Sequence, residues 1–529
     1  MDQSNLSQAA SILRSHECVE DAVVLLQDDL DGEMVAFLTL RKLAVEHHIQ
    51  SLAQTDDGYE SQQVELWETV FDEAVYPTIE NNMRPEEIGR DFHGWISAYD
   101  GSLLGSTAMQ EWLDDTMNTI LSCNGDRPLD VLELGTGSGM ILFNMTKRLR
   151  SYLGIELTQA AVEFVTATAK SMPELANKVR VRQGAATDLH LFESASPEVV
   201  IINSVAQYFP SREYLLKVVE NILRLKSVRT IIFGDIRSHA LREEFFVSKA
   251  LCKLGGDASK EEVGQKVAEM ARAELELLTD PAFFTSLQDR FSDRIAHVEI
   301  LPKKMKATNE LSCYRYTAVI HVMDQEQAQE IHHIREEDWI DFAQENLDYD
   351  TLCQRLASAA DTVAVRNIPF SKIMLERRVV DSLHNKEENV DRSSGWLASV
   401  SEKSQKEPSL SPVDLVDISR RAGRRVEMSW ARQHTQRGGL DAIFHRFQES
   451  SDCGRVLFRF PTDHQGRAHN ELTNQPLEQQ AKQAIQQELY ELLEEKLSSD
   501  MMPEEILILD QIPKKGDGEV DRQLLSKMV

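Results

Sequence analysis

The sequence predicts an α/β fold built on a doubly wound, mostly parallel β-sheet. Short apolar runs alternate with helical segments between residues 129 and 254, and the first run leads through three closely spaced glycines into helical spacing. The apolar runs end in polar residues, and ligands of such sheets bind beyond the carboxyl ends of the strands. Strands are predicted at 129–134, 152–155, 179–183, 198–202 and 230–233, helices at 158–170, 211–225 and 238–254, and a closing antiparallel pair at 296–301 and 313–322.

Three glycines follow the first strand at alternate positions: Gly135, Gly137 and Gly139. Glycine lacks a Cβ, so its backbone amides can approach a ligand closely and its φ can be positive. A P-loop would need Gly-Lys-Ser/Thr after the turn, and a dinucleotide loop spaces its glycines as G-x-G-x-x-G. Here the spacing is G-x-G-x-G, with Glu133 two residues before the first glycine. This pattern resembles the S-adenosylmethionine (SAM) loop of class I methyltransferases, and an ordinary βα turn is the alternative.

Polar residues at the ends of the next strands lie where that resemblance implies cofactor contacts. Glu156 ends the second strand about twenty residues after the turn, where an acid commonly binds ribose hydroxyls. Asp188 follows the third strand and would meet the adenine amino group, and Asn203 ends the fourth strand beside the sulfonium. The expected cofactor is therefore S-adenosyl-L-methionine, held by Glu133, Gly135, Thr136, Gly137, Gly139, Glu156, Asp188 and Asn203.

Composition excludes several classes of protein. The net charge of −30 over 529 residues disfavours nucleic acid or anionic membrane as the main partner, because both need a positive field. No apolar run approaches the ~20 residues of a membrane span, and the first residues lack the pattern of a secretory signal. The six cysteines form no C-x-x-C pair, so reduced thiols, no metal site and a cytoplasmic location are predicted.

Several motifs together resemble the methyltransferase domains inserted in nonribosomal peptide synthetases. Besides the glycine turn, they are Asn203-Ser-Val-Ala-Gln-Tyr-Phe-Pro210, Gly234-Asp-Ile-Arg-Ser238, Asp280-Pro-Ala-Phe-Phe284 and Tyr314-Arg-Tyr316. In that family the methyltransferase interrupts the small C-terminal subdomain of an adenylation domain, and residues 18–24 and 501–522 resemble the two pieces of that subdomain. The resemblance implies an adenylation-like piece with a linker at 1–60, a class I methyltransferase at 61–325, a connecting segment with a flexible link at 326–410, and a second adenylation-like piece at 411–529.

The departures from that family limit the expected function. The large adenylation core is missing, and Glu519 stands where the adenylating family carries a lysine before Val-Asp-Arg. A carboxylate there would repel the reacting carboxylate and phosphate, so adenylation is excluded. The chain is therefore expected to be a free-standing methyltransferase of a fungal synthetase line, acting in trans on a small-molecule peptide or polyketide–peptide intermediate. A carrier domain of a partner synthetase is a further expected partner.

The methyl group would reach the acceptor by in-line displacement, without a covalent enzyme intermediate. Orientation and exclusion of water supply most of the catalysis, and a hydroxyl or protonated amine must also lose a proton. Whether oxygen or nitrogen is methylated stays open, as do N-methylation of a carrier-bound amino acid and a docking module without catalysis. The candidate catalytic residues are Tyr208, Asp235 and His239, and an aromatic-rich loop with His93, Trp95 and Tyr99 is expected to cover the substrate.

Overall fold

Two units built around β-sheets make up the computed structural model. The structure describes residues 3–26, 34–53, 59–76, 84–323, 330–359, 362–385, 395–448, 455–498, 501–516 and 518–526. The first unit comprises Met1–Gln63, Ala268–Leu275 and Gln475–Val529, and the second comprises Val64–Val267 and Glu276–Asn474.

Helices and strands alternate through much of the second unit, as the sequence predicts for an α/β fold. The helices are α1 (Gln3–Arg14), α2 (Lys42–Ala53), α3 (Tyr59–Val70), α4 (Ser106–Ser122), α5 (Met140–Asn144), α6 (Gln159–Ser171), α7 (Arg212–Leu223), α8 (Arg242–Leu254), α9 (Lys260–Arg272), α10 (Pro281–Arg290), α11 (Glu310–Tyr314), α12 (Tyr349–Ser358), α13 (Met374–His384), α14 (Trp396–Lys406), α15 (Pro412–Arg421), α16 (Pro476–Lys496) and α17 (Arg522–Leu525). The strands are β1 (Val19–Leu26), β2 (Met34–Leu40), β3 (Leu129–Leu134), β4 (Leu149–Glu156), β5 (Val179–Gln183), β6 (Val199–Asn203), β7 (Thr230–Arg237), β8 (Ile295–Pro302), β9 (Arg315–Val322), β10 (Ile331–His333), β11 (Trp339–Asp341), β12 (Val363–Ile368), β13 (Arg425–Ser429), β14 (Leu440–His445), β15 (Leu457–Arg459) and β16 (Glu505–Ile508).

A seven-stranded sheet forms the centre of the second unit, in the order β5-β4-β3-β6-β7-β9-β8. The strands β3 to β7 run parallel, and β9 and β8 close the sheet as an antiparallel pair. The predicted doubly wound, mostly parallel sheet is thus confirmed, together with its closing pair. All of β6 and nearly all of β7 are buried, because a parallel sheet covered on both faces needs continuous apolar strands.

The pairing of β7 with β9 is interrupted by a bulge between Phe233 and Ile236. Asp235 lies in this bulge with a φ of 61°, and Ser204, which directly follows β6, has a φ of 56°. Both values fall in the left-handed region, which non-glycine residues enter rarely. Backbone strain of this kind clusters at functional sites, and here it occurs at two adjacent strand ends.

The second unit also contains a four-stranded sheet, β11-β12-β14-β13, and a two-stranded sheet, β10-β15. The sequence predicts one strand between residues 324 and 385, whereas β10, β11 and β12 all lie there. The two missed strands are three residues long, which is too short for a period of two to be visible. The Trp430 amide donates to the Ile300 carbonyl at 2.8 Å, so the segment after β13 is bonded to β8 of the central sheet.

In the first unit, strands from the two ends of the chain share one sheet. β1 and β2 pair antiparallel, and β16 pairs parallel with β2 through Ile506 and Leu507. Leu13 of α1 and Ile485 and Leu489 of α16 are fully buried in the core of this unit. Each piece alone is too small to bury a core, and together they complete one. The likeness of this unit to an adenylation-type subdomain stays a prediction.

Three expectations about the segments between domains differ from the structure. The predicted linker within 1–60 carries α2 and the start of α3, while residues 54–58 and a hairpin turn predicted at 28–32 lie outside the described residues. The predicted flexible link contains α14, whose Trp396 is buried and donates from Nε1 to Ser382 Oγ at 3.0 Å. One buried aromatic residue anchors this polar helix, and composition does not reveal such an anchor. The predicted boundary at residue 411 falls inside the second unit, because β13 and β14 join β12 in one sheet.

Candidate active site

A cavity of about 420 Å³ opens at the carboxyl ends of the central strands. Its lining includes the turn after β3, Glu156 at the end of β4, residues 184–186 after β5, and Arg237 at the end of β7. Residues of α3 and of the loop around 91–98 also line it. Every lining residue belongs to the second unit. The cavity therefore lies at the edge where doubly wound sheets bind their ligands.

The glycine turn forms the floor of one end of the cavity. Gly135, Gly137 and Gly139 have φ values of 83°, 55° and 82°. These values lie in the left-handed region, which residues other than glycine rarely adopt. A Cβ at Gly137 would lie 3.1 Å from the Tyr76 hydroxyl, so a side chain at this position would crowd the cavity between the turn and Tyr76. Gly135, Thr136 and Gly137 line the cavity, as predicted, whereas Gly139 does not line it and is the N-cap residue of α5.

Two buried carboxylates lie beside this turn. Glu156 accepts hydrogen bonds from the amides of Gly137 (2.8 Å) and Thr158 (3.1 Å), which ties the end of β4 to the glycine turn. The Tyr152 hydroxyl donates to Glu133. Burial raises the pKa of Glu133 to about 8 and raises the pKa of Glu156 above its usual value. A cation bound at this end would stabilise both carboxylates in their ionised form.

Asp188 does not reach the cavity in the way the sequence predicts. Its carboxylate accepts a hydrogen bond from the Ala185 amide at 2.8 Å, and it is absent from the lining, whereas Gly184, Ala185 and Ala186 line it. A Cβ at Gly184 would lie 3.0 Å from Asp188 Oδ2, so the carboxylate packs directly against the loop. Asp188 therefore shapes the loop that faces the cavity.

Two buried amide side chains follow at the end of β6 and just beyond it. Asn203 and Gln207 both line the cavity, and Asn203 Oδ1 and Gln207 Oε1 have no hydrogen-bond partner among the described residues. A Cβ at Gly234 would lie only 2.0 Å from Asn203 Oδ1, so glycine is required there. Buried oxygen atoms without donors cost free energy, and a ligand with N–H groups would satisfy them.

A cluster of aromatic side chains lines the cavity. The ring of Tyr208 lies 4.5 Å from that of Trp67 and 5.2 Å from that of Phe71, and the rings of Phe71 and Tyr76 are 5.9 Å apart. Phe71 to Val75 form a π-helical turn after α3, a feature that often occurs at functional sites. Aromatic faces attract cations, so this cluster suits a positively charged ligand. Burial, and then the nearby Glu276 carboxylate, raise the pKa of Tyr208 to about 12, so its phenol stays protonated at neutral pH.

Two arginines with carboxylate partners form the far end of the cavity. Arg237 and Arg315 lie directly opposite each other on β7 and β9. Arg237 Nη1 donates to Glu276 Oε2 at 2.6 Å, and Arg315 Nη1 donates to Asp235 Oδ2 at 2.6 Å. Arg237, Glu276 and Arg315 line the cavity, whereas Asp235 is fully buried behind them. We call Arg237, Glu276, Asp235 and Arg315 the acceptor cluster.

Among the residues predicted for the acceptor side, only some reach the cavity. His93, Trp95 and Tyr208 line it, and His93 Nδ1 lies 2.8 Å from Asp91 Oδ1 at the rim. His239 is absent from the lining, and burial, with Arg242 nearby, lowers its pKa to about 3. Tyr99 is also absent and packs 6.0 Å, centroid to centroid, from Phe245. Neither His239 nor Tyr99 is placed to touch a molecule in the cavity.

Sequence reasoning misses several residues that the fold brings to the cavity. Arg237 and Arg315 stand inside motifs that the resemblance singles out, but those motifs assign them no role. Glu276 lies in the connection between α9 and α10, and Trp67 and Phe71 precede the first strand of the central sheet by about sixty residues, so no local pattern marks them.

Comparison with known proteins agrees with this geometry. A family described as a methyltransferase domain matches residues 132–228, which contain the glycine turn, Glu156 and the end of β6. The chain contains a methyltransferase domain. The prediction of a class I, SAM-dependent methyltransferase is thereby confirmed at the level of the domain.

Relatives of the whole chain are segments of much longer fungal proteins. The chain is 48% identical over 99% of its length to peramine synthetase ppzA of Metarhizium majus (strain ARSEF 297), of which it covers 19%. It is 44% identical over 99% of its length to nonribosomal peptide synthetase TES of Alternaria alternata, of which it covers 10%. The methyltransferase domain and its flanks are therefore homologous to a segment of fungal nonribosomal peptide synthetases, and the chain spans less than a fifth of these relatives.

Solved structures similar to the chain include a magnesium protoporphyrin IX methyltransferase (ChlM) from Synechocystis PCC 6803 with bound SAM. It is 11% identical, with a TM-score of 0.32, and the match covers 50% of this chain and 97% of that one. Within the described ranges of the chain, no helix is both long enough and apolar enough to cross a membrane.

Proposed function

We propose that the methyltransferase domain transfers a methyl group from SAM to an amine nitrogen of a peptidic acceptor. When bound, the cofactor supplies an electrophilic methyl group on a sulfonium. The observation that carries the choice of nitrogen is the chemistry of the far end of the cavity. Glu276 and Gln207 offer oxygen atoms that accept hydrogen bonds, beside aromatic rings that favour a cation.

The near end of the cavity fits the cofactor. Glycine at position 137 places no side chain between the turn and Tyr76, which leaves room for the methionine end. The raised pKa of Glu133 leaves a carboxyl group that an ammonium would convert to a carboxylate. Glu156 keeps acceptor capacity beyond its amide donors, as binding of ribose hydroxyls requires. Residues 184–186 line the place where the adenine would lie, and Asn203 Oδ1 offers an acceptor between the two ends.

We assign to Glu276 the role of binding the positively charged amine of the acceptor. Glu276 lines the cavity with its side chain partly exposed, and Arg237 holds one of its oxygens. A carboxylate offers about four lone-pair sites, so it can bind an ammonium as well as its protein donors. The ammonium must then give up a proton to solvent water before the nitrogen can attack. Tyr208 stays protonated, so we assign it a role in orienting the amine and no role as a base.

The acceptor would be a peptide or a polyketide–peptide intermediate, either released or presented by a carrier domain of a partner synthetase. The names of the relatives support this class, since both are synthetases and one is named a nonribosomal peptide synthetase. Trp95 and His93 at the rim of the cavity would limit access of water once the acceptor is bound.

We further propose that the chain acts in trans and that its first unit does not adenylate a substrate. Glu519 in place of the expected lysine supports that view, because a carboxylate would repel the reacting carboxylate and phosphate.

Two measurements on the intact chain test the proposal. Calorimetry with SAM should show micromolar binding, and a chain that fails to bind it would be the docking module without catalysis. Mass spectrometry of reactions with matched N-acetylcysteamine thioesters of an α-amino acid and the corresponding 2-hydroxy acid should show methylation of the amino compound. Transfer to the hydroxy compound alone would contradict the choice of nitrogen while leaving the cofactor assignment intact.

A further inference from the structure

Arg315 has hydrogen-bonding capacity that the fold does not use. It begins β9, its guanidinium lines the cavity, and its side chain is 16% exposed. Only Nη1 makes a hydrogen bond to a residue that the structure describes, and its partner is Asp235 Oδ2. A guanidinium carries five N–H donors in a fixed plane. The donors on Nε and Nη2 are therefore left for a ligand in the cavity.

Asp235 holds that guanidinium in one orientation. The carboxylate is fully buried and accepts hydrogen bonds from Trp112 Nε1 (2.9 Å), Ser204 Oγ (2.8 Å) and Arg315 Nη1 (2.6 Å). Lys303 Nζ, which is also buried, lies 3.6 Å from Asp235 Oδ1. The strained φ values of Asp235 and Ser204 are maintained by this network. A buried carboxylate with this many partners orients its neighbours, and Asp235 itself does not line the cavity.

Arg315 belongs to a network of ion pairs with buried or partly buried carboxylates. Among the pairs formed by described residues there, Arg237, Arg315 and Lys303 share the carboxylates of Asp235 and Glu276. Guanidinium donors that face a partly buried cavity are stabilised by an oxygen atom of a ligand. These donors lie beside Glu276, which would bind an amine. The acceptor cluster can therefore bind an amine through Glu276 and an oxygen atom of the same molecule through Arg315.

The carboxylate of the cofactor does not account for this arginine. The methionine end belongs at the glycine turn after β3, whereas Arg315 lies on β9, which is three strands away in the order β3-β6-β7-β9. At about 4.8 Å between neighbouring strands, this separation is about 14 Å. The oxygen that meets Arg315 must then come from the acceptor.

We propose that Arg315, positioned by Asp235, binds the acyl oxygen of an α-amino acyl acceptor and makes the domain select such acceptors over simple amines. The inference rests on the proposed transfer to an amine nitrogen. The oxygen can be the carboxylate of a free amino acid or the carbonyl of its thioester or amide. Arg315 is a specificity-determining residue in this account, and Asp235 is a positioning residue.

The test uses the full chain with SAM and matched sets of probes. Each set contains an α-amino acid N-acetylcysteamine thioester, the free amino acid, and the amine that lacks the acyl group, for example the valine compounds and isobutylamine. The unmodified chain should show at least a hundredfold higher kcat/KM for an acyl probe than for the amine. Preference for the thioester or for the free acid identifies the source of the oxygen.

Arg315→Gln should reduce that preference to below tenfold by raising the KM of the acyl probe. The kcat/KM for the simple amine and the Kd of SAM should stay within twofold of their original values. Arg315→Lys, which keeps the charge without the planar fork, should restore part of the preference. Asp235→Asn should raise the same KM, and its effect should not add to that of Arg315→Gln. The surface substitution Arg335→Gln is the matched control and should change none of these values.

Equal losses for all probes in Arg315→Gln, or a raised Kd for SAM, would overturn the role of Arg315 while leaving amine methylation standing. Failure of the unmodified chain to methylate any of the amines would instead overturn the proposed function, and this inference with it. If Asp235→Asn does not fold, the comparison of Arg315→Gln with Arg315→Lys still decides the role of the guanidinium.

Discussion

The two ends of the cavity are built in different ways. The cofactor end consists mainly of backbone from one short stretch, with Gly135 and Gly137 in the left-handed region and Glu156 bonded to the turn. The acceptor end consists of side chains that come from distant parts of the chain, such as Trp67, Glu276 and Arg315. A ligand shared by many enzymes can be held by local backbone geometry, whereas a particular acceptor needs side chains that only the fold can bring together.

The largest expected effect lies at the cofactor end. Gly137→Val should raise the Kd of SAM by at least about 100-fold, which is about 2.7 kcal/mol, because the side chain would enter the cavity beside the Tyr76 hydroxyl at a φ of 55°. Calorimetry measures the loss. Gly423→Val is the matched control, since Gly423 has a φ of 61° and a Cβ added there would meet no atom within 4 Å. The control should lose stability to backbone strain and keep its affinity for SAM.

At the acceptor end, Glu276→Gln should lower kcat/KM for an amino acyl thioester by about 30-fold, because a charge-assisted hydrogen bond of about 2 kcal/mol is lost. The Kd of SAM should change by less than twofold, since Glu276 lies away from the glycine turn. Steady-state kinetics and calorimetry on the same preparation separate the two values. Glu261→Gln on the exposed face of α9 is the control. A parallel loss of SAM affinity would show that the two ends are not separate.

The difference between the two ends also explains how much the sequence could predict. The parallel sheet, the closing pair and the glycine turn follow from apolar runs and glycine spacing, which are local signals. Asp235 and His239 stand next to predicted strand ends, but neither side chain lines the cavity, and the bulge in β7 that contains the buried Asp235 has no local sequence signal. The same limit applies to Glu276, whose position depends on the long connection between β7 and β8.

A smaller effect distinguishes two acids that the sequence treats alike. Glu156→Gln should weaken SAM binding by about tenfold, because Glu156 lines the cavity and its charge strengthens each hydrogen bond it accepts. Asp188→Asn should weaken it by less than about threefold, since an amide oxygen can still accept from the Ala185 amide. Calorimetry on both variants checks the order. Equal losses would mean that Asp188 touches the cofactor after all.

The smallest effect on catalysis is expected for His239. Because its pKa in the folded chain is about 3, against about 6.5 when unfolded, the unfolded chain binds the proton first as the pH falls. His239 therefore leaves the free energy of unfolding unchanged above pH 6.5 and lowers it as the pH falls from 6.5 towards 3, by up to about 1.4 kcal/mol per pH unit. His239→Gln should make urea unfolding less pH-dependent in this window and leave kcat within about threefold. A large loss of kcat would show that His239 takes part in catalysis.

A crystal structure of the chain with S-adenosylhomocysteine tests the central assignment most directly. We expect the methionine end on the Gly135–Gly137 backbone, ribose hydroxyls on Glu156, adenine against residues 184–186, and the sulfur facing the acceptor cluster. A ligand that binds outside this cavity, or whose sulfur points away from Arg237, Glu276 and Arg315, would contradict that assignment.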